Sequence, residues 1–195
     1  MAVLLLDVMD TLVWDPFRLL PQHFNLSWQE LLRDKHPTAW ERFERGELSH
    51  AEFCATFFRD GRGVDPDQVR DLLRASYRWL DGVPQLLTDL RAAGHELHAL
   101  SNYPEWYQWI EAELGLSRWV AWTFVSCRTG VRKPDPRAYT RAAAQLNQPP
   151  SALWFIDDRL SNVEAARAVG MRGLVFQGAA SLRQALQLEG LLRDA

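Results

Sequence analysis

An apolar run near the N-terminus ends abruptly in acidic side chains, and this feature limits the folds open to the chain. Leu4, Leu5 and Leu6 are followed directly by Asp7, with Asp10 three residues later. A segment that is apolar on both faces is typical of a strand in a parallel sheet covered by helices. Ligands of such sheets bind at the carboxyl ends of the strands, so Asp7 is predicted to face a site. The alternative for these residues alone is a strand that ends in an Asx turn.

Patterns of helix and strand alternate from residue 82 onward. Apolar strand runs cover residues 96–100, 120–125, 152–156 and 174–176, and helix signals cover residues 82–94, 106–114, 136–146 and 161–169. Such alternation requires crossover connections, and it predicts an α/β fold with a mostly parallel sheet.

The segment between the first strand and residue 80 carries helix signals only. Capping boxes begin at Ser27, Thr38 and Ser49, each with a glutamate three residues later, and Asp65 with Pro66 opens a further helix. No strand pattern interrupts residues 14–79. We therefore expect a core formed by residues 1–13 and 80–195, with an all-helical lobe of residues 14–79 inserted after the first strand.

Composition narrows the class of protein. The chain has 195 residues and a formal net charge of -3, with 22 Lys and Arg spread among 25 acidic residues. No basic stripe suits nucleic acid, and no segment is long and apolar enough to predict a membrane span. Cys54 and Cys127 lie far apart without metal-ligand spacing, and they are predicted to be buried free thiols. These features predict a cytoplasmic protein.

Four polar signals fall at predicted strand ends or in the loops beside them. They are Asp7 with Asp10 and Thr11, Ser101 with Asn102, Lys133, and Asp157 with Asp158. Taken one at a time, Ser101 and Asn102 fit a turn before a helix, and Lys133 fits a solvated loop. Two adjacent acids at the end of a strand repel each other unless a cation lies between them. Together, the four signals predict one site at one edge of the sheet.

Phosphoryl transfer through a covalent aspartyl phosphate is the chemistry that uses all of these groups. Asp7 is the candidate nucleophile, since a carboxylate can divide a difficult displacement into two easier steps. Asp157 and Asp158, together with Asp7, offer the hard oxygen ligands that Mg2+ prefers. Lys133 is predicted to be a fixed cation beside the nucleophile and the phosphate. The predicted phosphate ligands are Ser101, Asn102 and Lys133.

The same residues resemble the four sequence motifs of the haloacid dehalogenase-like (HAD) superfamily over nearly the whole chain. Residues 6–12 (LDVMDTL) resemble the nucleophile motif, residues 100–102 (LSN) the second motif, residues 130–139 (GVRKPDPRAY) the lysine motif, and residues 155–166 (FIDDRLSNVEAA) the acidic motif. The resemblance implies a Rossmann-like three-layer core, a helical cap inserted after the first motif, and Mg2+-dependent hydrolysis of small phosphomonoesters. The metal ligands that it implies are Asp7, Met9, Asp157 and Asp158. Residues 43–49 (FERGELS) in the cap are similar to the glucose-1-phosphate phosphatase and epoxide hydrolase N-terminal phosphatase branch.

One position departs from the family pattern. Phosphatases of the superfamily usually carry a second aspartate two residues after the nucleophile, as general acid and then base, and here that residue is Met9. Loss of a positioned acid typically costs roughly 100- to 10,000-fold in rate, and more for poor leaving groups. Asp10, a cap residue or water is expected to replace the missing acid, and aryl phosphates should react faster than alkyl phosphates.

Three functions fit this pattern. The first is a Mg2+-dependent phosphatase. The second is a 2-haloacid dehalogenase, whose family motif also lacks that acid but which works without metal, and the third is a catalytically weak binding or regulatory protein. The acidic pair favours the phosphatase. The expected partner is a small phosphorylated molecule, with no nucleic acid and no membrane, and the expected state is a monomer or homodimer. Candidates for contacting the substrate are Trp14, His23, Arg42 and Arg45.

Overall fold

A five-stranded sheet forms the centre of the computed structural model, which describes residues 1–193. Its strands are β1 (Val3–Leu6), β2 (Glu96–Ser101), β3 (Ala121–Val125), β4 (Leu153–Asp157) and β5 (Arg172–Val175). They lie in the order β3-β2-β1-β4-β5, and every neighbouring pair is parallel. The last strand begins two residues and ends one residue earlier than the pattern at residues 174–176 predicts, and the other four agree with prediction to within one residue.

β1 lies in the middle of the sheet, and all four of its residues are buried there. Its alternate side chains pack into separate hydrophobic clusters on the two faces, as the period of a strand requires. Leu6 lies beside Ile156 of β4, and the Asp7 N–H donates to the Ile156 carbonyl at 2.9 Å. The carboxyl ends of β1 and β4 therefore meet, and each is followed or closed by an aspartate.

The segment after β1 is helical, as expected. It begins with a 3-10 helix (Pro16–Leu19) and continues through α1 (Leu20–His23), α2 (Trp28–Asp34), α3 (Ala39–Glu44), α4 (His50–Ala55) and α5 (Pro66–Ser76). We call residues 14–79 the cap. The helices found there support the predicted division of the chain into core and cap, which stays a prediction. Residues 194 and 195 of the predicted core lie outside the described residues.

Helices cover both faces of the sheet. They are α6 (Val83–Ala92), α7 (Tyr107–Leu114), α8 (Ser126–Thr129), α9 (Pro136–Gln145), α10 (Leu160–Ala168) and α11 (Ala179–Leu188). Apolar residues of α6, α7 and α11 join the cluster on one face, and those of α9 and α10 join the cluster on the other. The α/β fold with a Rossmann-like three-layer core is confirmed. The sequence patterns did not predict α11.

The helix starts in the cap show one correction. Ser27 and Ser49 form the predicted capping boxes. The capping box predicted at Thr38 is wrong, because its backbone is not extended and its hydroxyl caps no N–H. The ring of His36 takes over, with Nδ1 accepting from the N–H groups of Thr38 and Ala39 at 3.3 and 3.1 Å.

The cap is docked closely on the core. At its base, Trp79 of the cap forms an antiparallel β-bridge with Val13 of the core. On its inner side, the rings of Trp40, Phe43 and Phe53 contact Trp106 of the core, with centroids 5.0–5.7 Å apart. The cap and one face of the sheet consequently share one hydrophobic cluster.

The cysteines and the expected lack of a membrane span can be compared with the structure. Both cysteines are free, and Cys54 is buried as predicted, whereas Cys127 is only partly buried. Within residues 1–193 no helix combines the length and the hydrophobicity that crossing a bilayer requires.

Candidate active site

A buried lysine joins the first and last of the acidic signals. Lys133 Nζ lies 2.7 Å from Asp7 Oδ1 and 2.6 Å from Asp157 Oδ2. Lys133 is 3% exposed and Asp157 is completely buried, so neither charge is screened by bulk water. Three residues separated by up to 150 positions in the sequence thus meet at the carboxyl ends of β1 and β4.

The acidic residues differ in how many protein donors they meet. The Asp157 carboxylate accepts from the Arg159 N–H at 2.8 Å and from Asn162 Nδ2 at 3.0 Å, in addition to Lys133. Within residues 1–193, Asp7 Oδ2 and both oxygens of Asp158 accept no hydrogen bond. These open acceptors are what a cation would fill.

Asp7, Asp157 and Asp158 form a donor set suited to a metal ion. Each offers a carboxylate oxygen, and the three oxygens lie within 4.8 Å of one another. Oxygen donors of this kind suit Mg2+. The soft thioether of Met9 does not, so any contribution from that predicted ligand falls to its main-chain carbonyl. The donor chemistry therefore fits the magnesium ion that the sequence predicts.

The electrostatics of the site reflect its burial. Burial raises the pKa of Asp7 to about 7, although the Lys133 ammonium works against the rise. Burial also raises the pKa of Asp158, and the neighbouring Asp157 carboxylate adds to that rise. Burial alone would lower the pKa of Lys133, but the Asp7 and Asp157 carboxylates outweigh it and hold that pKa above its ordinary value. The site is thus crowded with negative charge around one cation.

The predicted phosphate ligands after β2 occupy different surroundings. Asn102 exchanges two hydrogen bonds with the main chain of Lys133, donating from Nδ2 at 2.8 Å and accepting at Oδ1 at 2.7 Å. Its side chain therefore holds the lysine in place. The hydroxyl of Ser101 is buried and has no hydrogen-bond partner in residues 1–193. Ser101 does not line the cavity described below.

Met9 and Asp10 both reach the site, but Asp10 is already engaged. It adopts a left-handed backbone with φ of 57°. One carboxylate oxygen accepts from the Asp15 N–H at 3.3 Å, and the other is paired with the guanidinium of Arg18. The Asp10 carboxylate thus holds the loop after β1.

A cavity of about 390 Å3 opens between the cap and the carboxyl edge of the sheet. Its size lies within the usual range of small-molecule sites. Six of the predicted site residues line the cavity: Asp7, Met9, Asp10, Asn102, Lys133 and Asp158. The residues that the sequence analysis missed are Asp15, Phe17, Arg18, Trp28, Lys35, Trp40, Glu44, Tyr103, Arg132 and Arg159.

The missed residues fall into two groups. Tyr103, Arg132 and Arg159 directly adjoin Asn102, Lys133 and Asp158 in the sequence, so adjacency to a motif was the available signal. Those from the cap carried no such signal, because their position depends on how the cap docks. None of the four predicted substrate contacts lies among the residues that line this cavity. Arg42 instead pairs with Glu47, and Trp14 packs beneath the guanidinium of Arg78.

Glu44 brings a further buried acid to the cavity wall. Its Oε2 lies 2.6 Å from Nε of Arg132, an ion pair between cap and core. Burial raises the pKa of Glu44 to about 7, although the Arg132 guanidinium works against the rise.

Comparison with known proteins agrees with this geometry. A family model described as haloacid dehalogenase-like hydrolase matches residues 4–170. An Arabidopsis thaliana protein named flavin mononucleotide hydrolase 1 is 43% identical over 192 residues, covering 98% of this chain and 78% of that protein. A sesquiterpene phosphatase of Aspergillus oryzae is 30% identical over 142 residues, covering 69% of this chain and 70% of that protein.

Solved structures share the fold. A HAD family enzyme from Bacteroides thetaiotaomicron in a magnesium complex superposes with a TM-score of 0.75 at 20% identity, over 91% of this chain and 94% of that one. A predicted HAD-like family hydrolase from Porphyromonas gingivalis gives a TM-score of 0.73 at 19% identity, over 100% of this chain and 99% of that one. With these matches, and with the buried lysine and acidic residues in place, the chain belongs to the haloacid dehalogenase-like hydrolase family and is an enzyme of the hydrolase class.

Proposed function

We propose that the protein is a Mg2+-dependent phosphatase that hydrolyses a small phosphomonoester through an aspartyl phosphate on Asp7. The observation that carries this proposal is Lys133 Nζ, held between Asp7 and Asp157 with the Asp158 carboxylate beside them. A buried ammonium in contact with a nucleophilic carboxylate can also neutralise an incoming phosphate.

Asp7, Lys133 and Asn102 have different roles in the attack on phosphorus. Asp7 Oδ2 is free to attack phosphorus, because Lys133 occupies only Oδ1. Lys133 stabilises the negative charge that develops on the phosphoryl oxygens, and Asn102 keeps the lysine in position through its main chain. Ser101, which the sequence predicts as a phosphate ligand, does not line the cavity, and we assign no step to it.

The magnesium ion would be held by carboxylate oxygens of Asp7, Asp157 and Asp158, with the Met9 carbonyl as a further oxygen. When bound, it supplies charge neutralisation that lets an anionic nucleophile approach an anionic phosphate. Asp157 is more strongly tied to protein donors than the other two, so we assign it chiefly to the orientation of Lys133.

The lining of the cavity favours a substrate with a planar aromatic part. Trp28 and Trp40 are among its lining residues, and Lys35 and Arg159 are cations without an acidic partner within 4.0 Å in residues 1–193. Indole rings pack favourably against aromatic groups, and the cations can bind the phosphate or a second polar group. The relative named flavin mononucleotide hydrolase makes flavin mononucleotide (FMN) the first substrate to test.

The test is phosphate release from FMN and from p-nitrophenyl phosphate, with and without Mg2+. We expect activity only with the metal, and a loss of at least about 1,000-fold in Asp7→Asn, because the nucleophile is gone. Asp71→Asn, an exposed aspartate on α5, is the control that should retain activity.

Two other outcomes would redirect the assignment. Halide release from 2-haloacids without metal would support the dehalogenase, which the paired acids disfavour. FMN binding without turnover of either ester would support a binding or regulatory protein. Turnover that persists in Asp7→Asn would exclude the aspartyl-phosphate mechanism.

A further inference from the structure

We propose that Asp15 is the general acid and base of the reaction, in place of the aspartate that Met9 replaces. This inference rests on the proposed phosphatase function. Asp15 lines the same cavity as Asp7 and Met9, in the loop that follows the nucleophile. A residue of the cap thus brings a carboxyl group to the cavity that holds the nucleophile.

The hydrogen bonds of Asp15 leave one oxygen free for this task. Its Oδ1 accepts from the Phe17 N–H at 3.0 Å. In residues 1–193, no donor lies within hydrogen-bond distance of Oδ2, and no Lys, Arg or His nitrogen lies within 4.0 Å of the carboxyl group. Its own N–H is fixed by Asp10 Oδ1. The loop therefore positions an unpaired carboxyl group at the cavity wall.

Asp15 also caps a helix, and two other Asp-Pro helix starts show what capping alone produces. Asp65 and Asp135 precede Pro66 and Pro136. Asp65 accepts hydrogen bonds from two N–H groups in the first turn of its helix, and Asp135 accepts one. Neither lines the cavity that Asp15 lines. The Arg137 guanidinium lowers the pKa of Asp135 to about 2. By contrast, burial raises the pKa of Asp15 to about 6. Capping therefore does not account for the environment of Asp15.

The other acids in the cavity have partners or other duties. Asp10 is paired with Arg18, and Glu44 with Arg132. Asp158 belongs to the proposed metal site. The carboxylates of Asp10 and Glu44 are therefore already held by guanidinium groups, whereas a general acid must have an oxygen within reach of the leaving group. Among the acidic residues that line the cavity, Asp15 alone has no ion-pair partner in residues 1–193 and is neither the nucleophile nor a proposed metal ligand.

The proposed steps balance protons and bonds. As the bond from Asp7 oxygen to phosphorus forms and the bond from phosphorus to the leaving oxygen breaks, the Asp15 carboxyl proton passes to that leaving oxygen and releases an alcohol. Water then enters, and the Asp15 carboxylate takes a proton from it. The water oxygen bonds to phosphorus while the Asp7 linkage breaks, which releases inorganic phosphate and restores both aspartates.

Several charged or titratable groups face Asp15 and set its protonation. Burial is the main influence, the nearby Asp10 carboxylate disfavours ionisation, and two guanidinium groups favour it. The groups concerned are Asp10, Arg18, Arg159, Tyr77 and Tyr103. A general acid works in its protonated form, so turnover of an ester with a poor leaving group should fall as pH rises through the pKa of Asp15.

The test compares two esters in Asp15→Asn. Asparagine keeps the oxygen that caps Phe17 but has no proton to transfer. FMN releases an alkyl alcohol, which needs protonation, whereas p-nitrophenyl phosphate releases a stable phenolate. We expect kcat/KM, which reports the steps up to leaving-group release, to fall roughly 100- to 10,000-fold for FMN and by less than about 10-fold for the aryl ester. The alkaline limb of the pH profile for FMN should disappear as well.

Asp65→Asn is the matched control, because it changes the same residue type at another Asp-Pro helix start that does not line the cavity. Both activities should stay at the wild-type level. Asp15→Ser, which can also cap, should reproduce the selective loss if Asp15→Asn folds poorly. Equal losses of kcat/KM on both esters, or an unchanged kcat/KM for FMN, would overturn the role of Asp15 while Asp7→Asn still tests the phosphatase. If the wild type hydrolyses neither ester, the phosphatase and the role of Asp15 both fail.

Discussion

Lys133 is the residue on which the charge balance of the site depends. It is buried against two carboxylates, and each of these loses its main source of positive charge if the ammonium is removed. Breaking a buried ion pair from one side leaves an uncompensated charge, which costs far more than the loss of an exposed pair. The same lysine therefore supports both the fold and the proposed chemistry.

We expect Lys133→Met to lower the free energy of unfolding by about 3–5 kcal/mol, because Asp7 and Asp157 would remain buried without a cation. Urea denaturation followed by tryptophan fluorescence measures this change. Lys35→Met is the control, since Lys35 lines the same cavity without an acidic partner within 4.0 Å in residues 1–193, and it should change stability by less than about 0.5 kcal/mol. Equal effects in the two variants would contradict a special role for the buried pair.

The docking of the cap on the core is controlled by a close backbone contact between Gly46, in the loop after α3, and Cys127 in α8. Gly46 has φ of 74°, and a Cβ atom added there would lie 2.2 Å from the Cys127 carbonyl oxygen. The Ser126 hydroxyl donates to the Glu44 carbonyl at 2.5 Å beside this contact. Only glycine permits the approach that brings Glu44 to Arg132 and to the cavity.

We expect Gly46→Ala to destabilise the protein more than Gly61→Ala, which serves as the control. Gly61 has φ of 84° with no atom within 4 Å of an added Cβ, so its variant suffers only the left-handed backbone strain of about 1–2 kcal/mol. Gly46→Ala should lose roughly 1–3 kcal/mol more from the clash. Urea unfolding of both variants gives the comparison, and equal losses would show that the contact is not limiting.

The parts of this structure that sequence patterns predicted are those with strong local signals. The buried run before Asp7 and the alternation after residue 82 predicted the sheet, and the parallel order then brought Asp7, Lys133 and Asp157 together. Asp15 and Glu44 were not predictable as cavity residues, because their surroundings come from a lobe whose docking leaves no periodic pattern. The capping box predicted at Thr38 does not form, because the His36 ring accepts hydrogen bonds from the N–H groups of Thr38 and Ala39. The narrower family branch suggested by residues 43–49 stays a prediction.

Metal binding should stabilise the complete chain. Carboxylates of three residues approach within 4.8 Å, and the repulsion between them is present only in the folded state. A ligand that binds the folded state alone adds about 2.7 kcal/mol to its stability at 100 times its dissociation constant.

We therefore expect a rise in Tm with increasing Mg2+ in a thermal denaturation series at fixed ionic strength. Asp158→Asn should abolish the rise, because it removes the most open of the three carboxylates. Asp71→Asn, outside the site, should keep it. An unchanged rise in Asp158→Asn would place the bound ion elsewhere.

The ring cluster around Trp106 has a consequence for how new substrate preferences can arise in this enzyme. Residues of both the cap and the core form this cluster. A chimera with the cap of another protein would therefore expose Trp106 and lose its packing against Trp40 and Phe43. Substrate preference is consequently easier to alter by single replacements at the cavity wall than by exchanging the lobe. Directed evolution should recover its adaptive changes at positions such as Trp28 and Lys35, while Trp106 and its neighbours remain fixed.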